Sequence, residues 1–256
     1  MIRLRAGWSL AILLVLSAAP AAADFQDGVD AYDRGDLKQA LASWLEEARK
    51  GDPASTWLVG TMYLRGEGVM RPEPRIAAEY YRLAADRGFT EAQVSLATLY
   101  REGRGVPKDL KRAVAWLYQA AARRHPVAQA DLGDLFLEGV PGQLDPDPEH
   151  AAEWYRQAAD VGVLYAQFKL AQLYLEGIGV DQDDVTGFAL LIRVYEAARR
   201  GEENDWSRRV LRLDAPAGFD GTPLADVIAS RHATYQVALP GGVIAAARDL
   251  AAGTAP

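Results

Sequence analysis

The sequence contains no cysteine and only three histidines, His125, His150 and His232. The missing cysteine excludes disulfides, thiolate metal ligands, a cysteine nucleophile and the acylated cysteine of a lipoprotein, so stability must come from packing. The histidines stand far apart, which leaves no His-Glu-x-x-His helix and no Cys/His zinc spacing. No Gly-x-Ser-x-Gly turn presents a serine nucleophile. Beyond the N-terminal segment, no apolar run approaches the roughly 20 residues that span a bilayer. Positive charge is in deficit: 28 Lys and Arg stand against 35 Asp and Glu, a formal −7. That balance argues against nucleic acid or an anionic membrane surface as the main partner.

The N-terminus is the exception to this pattern. Residues 1–7 carry Arg3 and Arg5 without an acid, residues 8–16 are almost wholly apolar, and Ala21, Ala22 and Ala23 follow. This is the pattern of a secretory signal peptide over residues 1–23, with cleavage expected between Ala23 and Asp24. The apolar run includes Pro20 and is short for a membrane anchor. Removal takes two arginines, leaving 26 basic against 35 acidic residues. A periplasmic or secreted product is expected.

Internal repetition is the strongest feature present. Ala92-x3-Leu96-Ala97-x-Leu99-Tyr100-x2-Gly103-x-Gly105-Val106 has an earlier copy in Ser55-x3-Val59-Gly60-x-Met62-Tyr63-x2-Gly66-x-Gly68-Val69. Later copies are Ala128-x3-Leu132-Gly133-x-Leu135-Phe136-x2-Gly139 and Ala166-x3-Leu170-Ala171-x-Leu173-Tyr174-x2-Gly177-x-Gly179-Val180. The offsets of 37, 36 and 38 residues are those of a solenoid. A second apolar element follows each: Ala77, Tyr81, Ala84, Ala85; then Val114, Tyr118, Ala121, Ala122; then Tyr155, Ala158, Ala159; then Tyr195, Ala197, Ala198. Spacings of four and three put such residues on one helical face. Each unit therefore predicts two antiparallel helices, A and B.

The aromatic residues read as wedges between hairpins, and the alanines as sites of close helix approach. Gly66, Gly103, Gly139 and Gly177 are expected to end the A helices in a left-handed residue, with Gly88, Gly162 and Gly201 ending B helices. At the turn where siblings carry glycine, His125-Pro126 is expected to stop the B helix through its proline. The loop at Gly139-Val140-Pro141-Gly142 departs from Gly-x-Gly-Val and is expected to splay outward. Residues 24–52 predict a capping hairpin, with helices over residues 25–34 and 37–50 around Leu41, Trp44, Leu45 and Ala48. Residues 53–201 hold the four repeats. Residues 202–256 predict a C-terminal cap with short helices over residues 205–213, 224–233 and 242–252.

The unit as a whole closely resembles the Sel1-like repeat, a variant of the tetratricopeptide fold. The resemblance implies an all-α superhelix of about five hairpins with helical caps, A helices lining its concave side. It also implies a scaffold or adaptor that binds another protein, with a periplasmic or membrane sensor domain as one such partner and envelope signalling or assembly as its setting. Cysteine-stapled members linked to penicillin binding differ from this chain, which lacks every such cysteine. The alternative is a hydrolase or carbohydrate-binding protein that uses the superhelical groove.

No residue stands out as catalytic, and no cofactor or metal is expected. His125 reads as a turn residue and His150 as a surface residue. The acidic loops Asp145, Asp147, Glu149 and Asp181, Asp183, Asp184 lack the EF-hand order and suit helix N-termini. If Ala92, Leu96, Leu99 and Tyr100 are committed to the stack, two rows beside them are candidates for a partner-binding groove. One is Thr61, Thr98, Asp134 and Gln172; the other is Leu64, Arg101, Leu137 and Leu175.

Overall fold

The computed structural model describes residues 24–142, 144–200 and 224–253. The expected signal peptide and the expected helix over residues 205–213 lie outside these residues. Twelve helices are described and no named strand: α1 (Phe25–Asp33), α2 (Leu37–Lys50), α3 (Pro53–Arg65), α4 (Pro74–Asp86), α5 (Thr90–Glu102), α6 (Leu110–Ala122), α7 (Pro126–Glu138), α8 (Pro148–Asp160), α9 (Leu164–Glu176), α10 (Asp184–Arg199), α11 (Leu224–Ala238) and α12 (Gly241–Ala251). The first ten form five hairpins, and each B helix packs on the A helix of the next. The fold is an all-α superhelix of stacked hairpins.

Caps follow the chemistry of the residues present. Asp36, Asp52, Asp109, Asp147 and Asp183 each accept a backbone N–H in the first turn of the helix they precede, satisfying donors that have no intrahelical partner. The acid-rich loops thus supply the N-caps of α8 and α10. The A helices α3, α5 and α9 end in left-handed glycines, Gly66, Gly103 and Gly177. Gly139 departs from this: its φ is 69° but its ψ is 178°. The chain there turns into a short closed bridge, with Val140 and Leu144 exchanging backbone hydrogen bonds of 2.6 and 2.9 Å. Val140 is buried. Val140 alone is drawn into the core, where it finds apolar cover, while Pro141 and Gly142 are exposed as expected of the loop.

The expected stripe Ala92, Leu96, Leu99 and Tyr100 is buried in α5. In α6 the expected register is wrong by one residue. The buried face is Ala113, Leu117, Ala120 and Ala121, while Tyr118 and Ala122 are exposed. The loop over residues 103–109 is one residue shorter than that over residues 66–73, which rotates α6 by one position against the glycine motif. A second correction follows at the end of α6. Arg124, with φ 60°, takes the left-handed position that Gly88 and Gly162 hold elsewhere. Pro126 does not stop a helix; it is the first residue of α7, and His125 caps that helix by accepting the Ala128 N–H at Nδ1, 3.3 Å away.

Volumes are matched across the hairpins. The phenol ring of Tyr81 lies where a Cβ on Gly60 would sit, 2.7 Å from its Cδ1, and Tyr155 bears in the same way on Gly133 at 2.6 Å. The corresponding pairs in the other two units are Ala97 with Leu117 and Ala171 with Leu191, all buried. The chain thus sets glycine against tyrosine and alanine against leucine. Gly60→Ala is expected to destabilise by about 1–3 kcal/mol through overpacking, despite alanine's better helix propensity. Adding Tyr81→Leu should restore much of that loss. Urea midpoints of the two single variants and the double variant decide it; additive losses would contradict the pairing.

A further device holds A to B. Gln93 Nε2 donates to the Ala85 carbonyl at 3.2 Å, and Gln167 Nε2 donates to the equivalent Ala159 carbonyl at 3.0 Å. At the far end, Ala247 of α12 is buried against α10. The Arg193 guanidinium donates to the carbonyls of Leu250 and Ala251, the last of that helix. His232 of α11 stacks on Tyr195, with ring centroids 4.4 Å apart.

Candidate partner-binding face

The A helices α3, α5, α7 and α9 place the two predicted rows in register, but with different exposure. In the first row Thr61, Thr98 and Asp134 are buried and Gln172 is half-buried. The matched volumes explain Thr61 and Asp134, whereas the Thr98 hydroxyl turns back on its own helix and donates to the Val94 carbonyl at 3.2 Å. Where the B helix carries a buried tyrosine, the first-row residue partners its hydroxyl. Thr61 Oγ1 lies 3.1 Å from the Tyr81 hydroxyl, and the Tyr155 hydroxyl donates to Asp134 Oδ1 at 2.6 Å. In the second row Leu64, Arg101 and Leu137 are half-buried, while Leu175 is buried against Gly187 and the α9–α10 interface.

Polar contacts tie successive A helices together along this face. Trp57 Nε1 donates to Ser95 Oγ at 2.9 Å. The Arg101 guanidinium stands 4.0 Å from Asp131, both side chains less than a fifth exposed. The Tyr165 hydroxyl donates to Asp134 at 2.8 Å, and Lys169 approaches the same carboxylate at 4.0 Å while lying over the Tyr165 ring. The order across α5, α7 and α9 is therefore Arg101, Asp131, Asp134, Lys169, two acids between two bases, flanked by Leu64 and Leu137. The repeat pattern does not single out Asp131 and Lys169, because their position carries Leu58, Ser95, Asp131 and Lys169 in turn, nor Tyr165, whose position carries Ala54, Glu91 and Val127 in the other units. The one available hint was the Asp131–Asp134 spacing, which puts two acids on one helical face.

The electrostatics follow from burial. Burial first, and then the Asp134 carboxylate, hold the Tyr155 and Tyr165 phenols far above their ordinary range, so both remain donors. Burial raises the Asp131 carboxyl to about 6, with Asp134 adding to the rise and Arg101 opposing it. A carboxyl whose folded value exceeds its unfolded value binds its proton more tightly when folded, so stability falls as pH rises from about 4 to about 6. Asp131→Asn is therefore expected to raise stability at pH 7 by roughly 2 kcal/mol and to change nothing near pH 3.5. Denaturant midpoints at the two pH values measure this; a loss of stability at pH 7 would mean that the Arg101 contact outweighs desolvation.

His150 is exposed, stacks on Phe136 and pairs its Nδ1 with Asp147 at 2.6 Å. The Asp147 hydrogen bond raises its pKa above the usual imidazole value. Burial lowers that of His125, which is buried at its cap position. Among the described residues no group of three His, Cys, Asp or Glu is placed to hold a metal ion, and no helix is long and apolar enough to cross a membrane.

The family model of the Sel1 repeat matches the chain four times, at residues 53–89, 90–125, 126–163 and 164–198. These are the hairpins α3–α4, α5–α6, α7–α8 and α9–α10. The chain belongs to the Sel1 repeat family. Among Sel1 relatives, an exopolysaccharide production negative regulator of Rhizobium leguminosarum bv. viciae is 30% identical over 167 residues, covering 55% of this chain and 62% of that protein. Chitin synthase regulatory factor 1 of Schizosaccharomyces pombe is 33% identical over 109 residues, 41% of this chain and 24% of that protein. The chain thus spans less than two thirds of either relative. A protective antigen of uropathogenic Escherichia coli displaying an SLR fold superposes with a TM-score of 0.63 at 28% identity, over 83% of this chain and 45% of that one.

Proposed function

We propose that the chain is an exported, non-catalytic scaffold that binds another protein on the face of its A helices and so regulates envelope machinery, polysaccharide production foremost. The observation that carries this reading is the half-buried row Leu64, Arg101 and Leu137 on aligned helices, set beside the charged side chains of Asp131, Asp134 and Lys169. An apolar strip with a charged anchor is the kind of surface on which a few residues carry much of an interface's energy. The names of the two regulators support the setting, each being a regulator connected with polysaccharide synthesis in its own organism.

Two observations support export. The N-terminal residues have the charge and apolar pattern of a signal peptide. Asp24, the first residue after the expected cut, is the N-cap of α1 and completes a reciprocal capping box with Asp27. Mass spectrometry of the chain from periplasm or medium should find Asp24 as the first residue; an intact Met1 form there would contradict the cleavage. For the binding face, the double variant Arg101→Glu, Leu137→Asp should lose the captured partner while keeping a near-normal melt. Unchanged capture and stability would remove this face as the site, and a collapsed melt would make Leu137 part of the core.

A further inference from the structure

A cleft of about 540 Å³ opens where the first repeat meets the second, between the exposed surface of α4 and the α5–α6 loop. Its floor is formed by the buried Ala78, Leu96 and Tyr100 with the half-buried Val106, and its exposed rim carries Pro107 and, from α4, Arg75, Glu79 and Arg82. Both arginines are exposed, and among the described residues neither side chain joins a hydrogen bond or an ion pair. What sets Arg75 and Arg82 apart is that both border one cleft, in a chain of formal charge −7.

The repeats provide their own comparison. The position of Arg82 is held by Tyr118 in the next unit, where the ring packs edge-on against Phe136 and Trp154. In the unit after that it is held by Arg156, whose guanidinium donates to the Tyr174 hydroxyl at 3.4 Å. The corresponding hydroxyl in the cleft, that of Tyr100, is already taken by Arg112 at 3.2 Å. One boundary is thus filled by an aromatic ring, one is closed by a hydrogen bond, and the α4 boundary is left open and cationic. The first turn of α4 that borders the cleft also lacks a side-chain cap, unlike α2, α6, α8 and α10.

We propose that this cleft binds an acidic peptide segment of a protein partner, with two carboxylates on Arg75 and Arg82 and an apolar side chain on the floor between them. Guanidinium groups pair with carboxylates in a two-point, charge-assisted geometry. Seven residues of helix separate the two arginines by roughly 10 Å. In an extended, polyproline-II-like peptide, residues three apart share a face and lie about 9 Å apart. A sugar chain fits less well, since the cleft has no side-chain amide, no free hydroxyl and no exposed aromatic face for it. The proposal rests on the scaffold reading and adds a second surface to it, lined by residues other than those of the A-helix row.

The test uses the full chain and a short fluorescein-labelled peptide with two glutamates three residues apart and a leucine between them. Fluorescence anisotropy should show the glutamate peptide binding about tenfold or more tightly than its glutamine counterpart, with the difference shrinking in salt. Arg82→Gln should lose about tenfold, and Arg82→Tyr, which copies the filled boundary, should abolish binding, both with unchanged helicity. The double variant Arg101→Glu, Leu137→Asp should bind the peptide as the parent does, which separates this cleft from the A-helix face. Equal affinity for both peptides, or binding unaffected by either Arg82 variant, overturns the proposal. Binding of an oligogalacturonate in place of the peptide assigns the cleft to an acidic polysaccharide and overturns it as well.

Discussion

Asp134→Ala is expected to destabilise the chain by roughly 3–5 kcal/mol. One carboxylate oxygen, Oδ1, accepts the hydroxyls of Tyr155 at 2.6 Å and Tyr165 at 2.8 Å, joining α7 to both α8 and α9. Tyr155 is fully buried, so its hydroxyl would be left without an acceptor and without water. Removing one partner of a buried polar knot costs the desolvation of what remains, which is more than the net worth of the bond when made. Asp134→Asn keeps a carbonyl acceptor and should cost distinctly less. Equilibrium unfolding of the two variants orders them; equal and small losses would show that the phenols find other partners.

Gly105→Val is expected to cost more than about 3 kcal/mol, well above the roughly 1 kcal/mol expected of Gly103→Ala. Both glycines have positive φ, 71° at Gly103 and 77° at Gly105, so both resist a Cβ. Their surroundings differ. A Cβ on Gly103 meets Lys108 Cβ at 3.1 Å, a contact that a small shift relieves. A Cβ on Gly105 would lie 2.3 Å from the carbonyl oxygen of Pro74, backbone of the preceding unit that moves only if the units part. Gly179 makes the same approach to Pro148 at 2.2 Å, and Gly68 to Leu37 at 2.5 Å. The second glycine of Gly-x-Gly-Val is therefore a stacking residue, and the first ends the helix. Thermal melts of the two variants test this; equal losses would contradict the distinction.

Much of the fold was legible because a solenoid repeats its solution. Four copies of one apolar pattern located eight helices, and Trp44 with Leu41 located the capping hairpin. Departures came where a single residue outweighed the pattern. The loop before α6 lacks one residue, and both Leu117 and Tyr118 are apolar, so periodicity alone did not choose the buried one. Arg124 occupies a left-handed turn that residue type argues against, and Pro126 suits the start of a helix as well as the end of another. The burial of Val140 is not legible in the repeat motif, because its partner Leu144 lies outside it.

The candidate face was less legible than the fold. The spacing brought Leu64, Arg101 and Leu137 onto neighbouring helices, but it could not show that Thr61 and Asp134 turn inward. Their inward course depends on a tyrosine twenty or twenty-one residues later meeting a glycine in the A helix, a contact between elements rather than a period within one. Asp131 and Lys169 escaped for the opposite reason. They share a position whose residue type changes in every unit, and only the stacking of α7 on its neighbours brings them beside Arg101 and Asp134.

Photocrosslinking tests the central claim most directly. A benzophenone amino acid placed at Leu64 or Leu137 reads contacts on the A-helix face, and one at Leu83, exposed on α4, reads the opposite face. Irradiated in cells expressing the chain, the first two are expected to give a discrete adduct with one partner protein, lost when Arg101→Glu is added, while Leu83 gives none of that species. The same adduct from Leu83, with none from Leu64 or Leu137, would contradict the account and place the partner on the B helices.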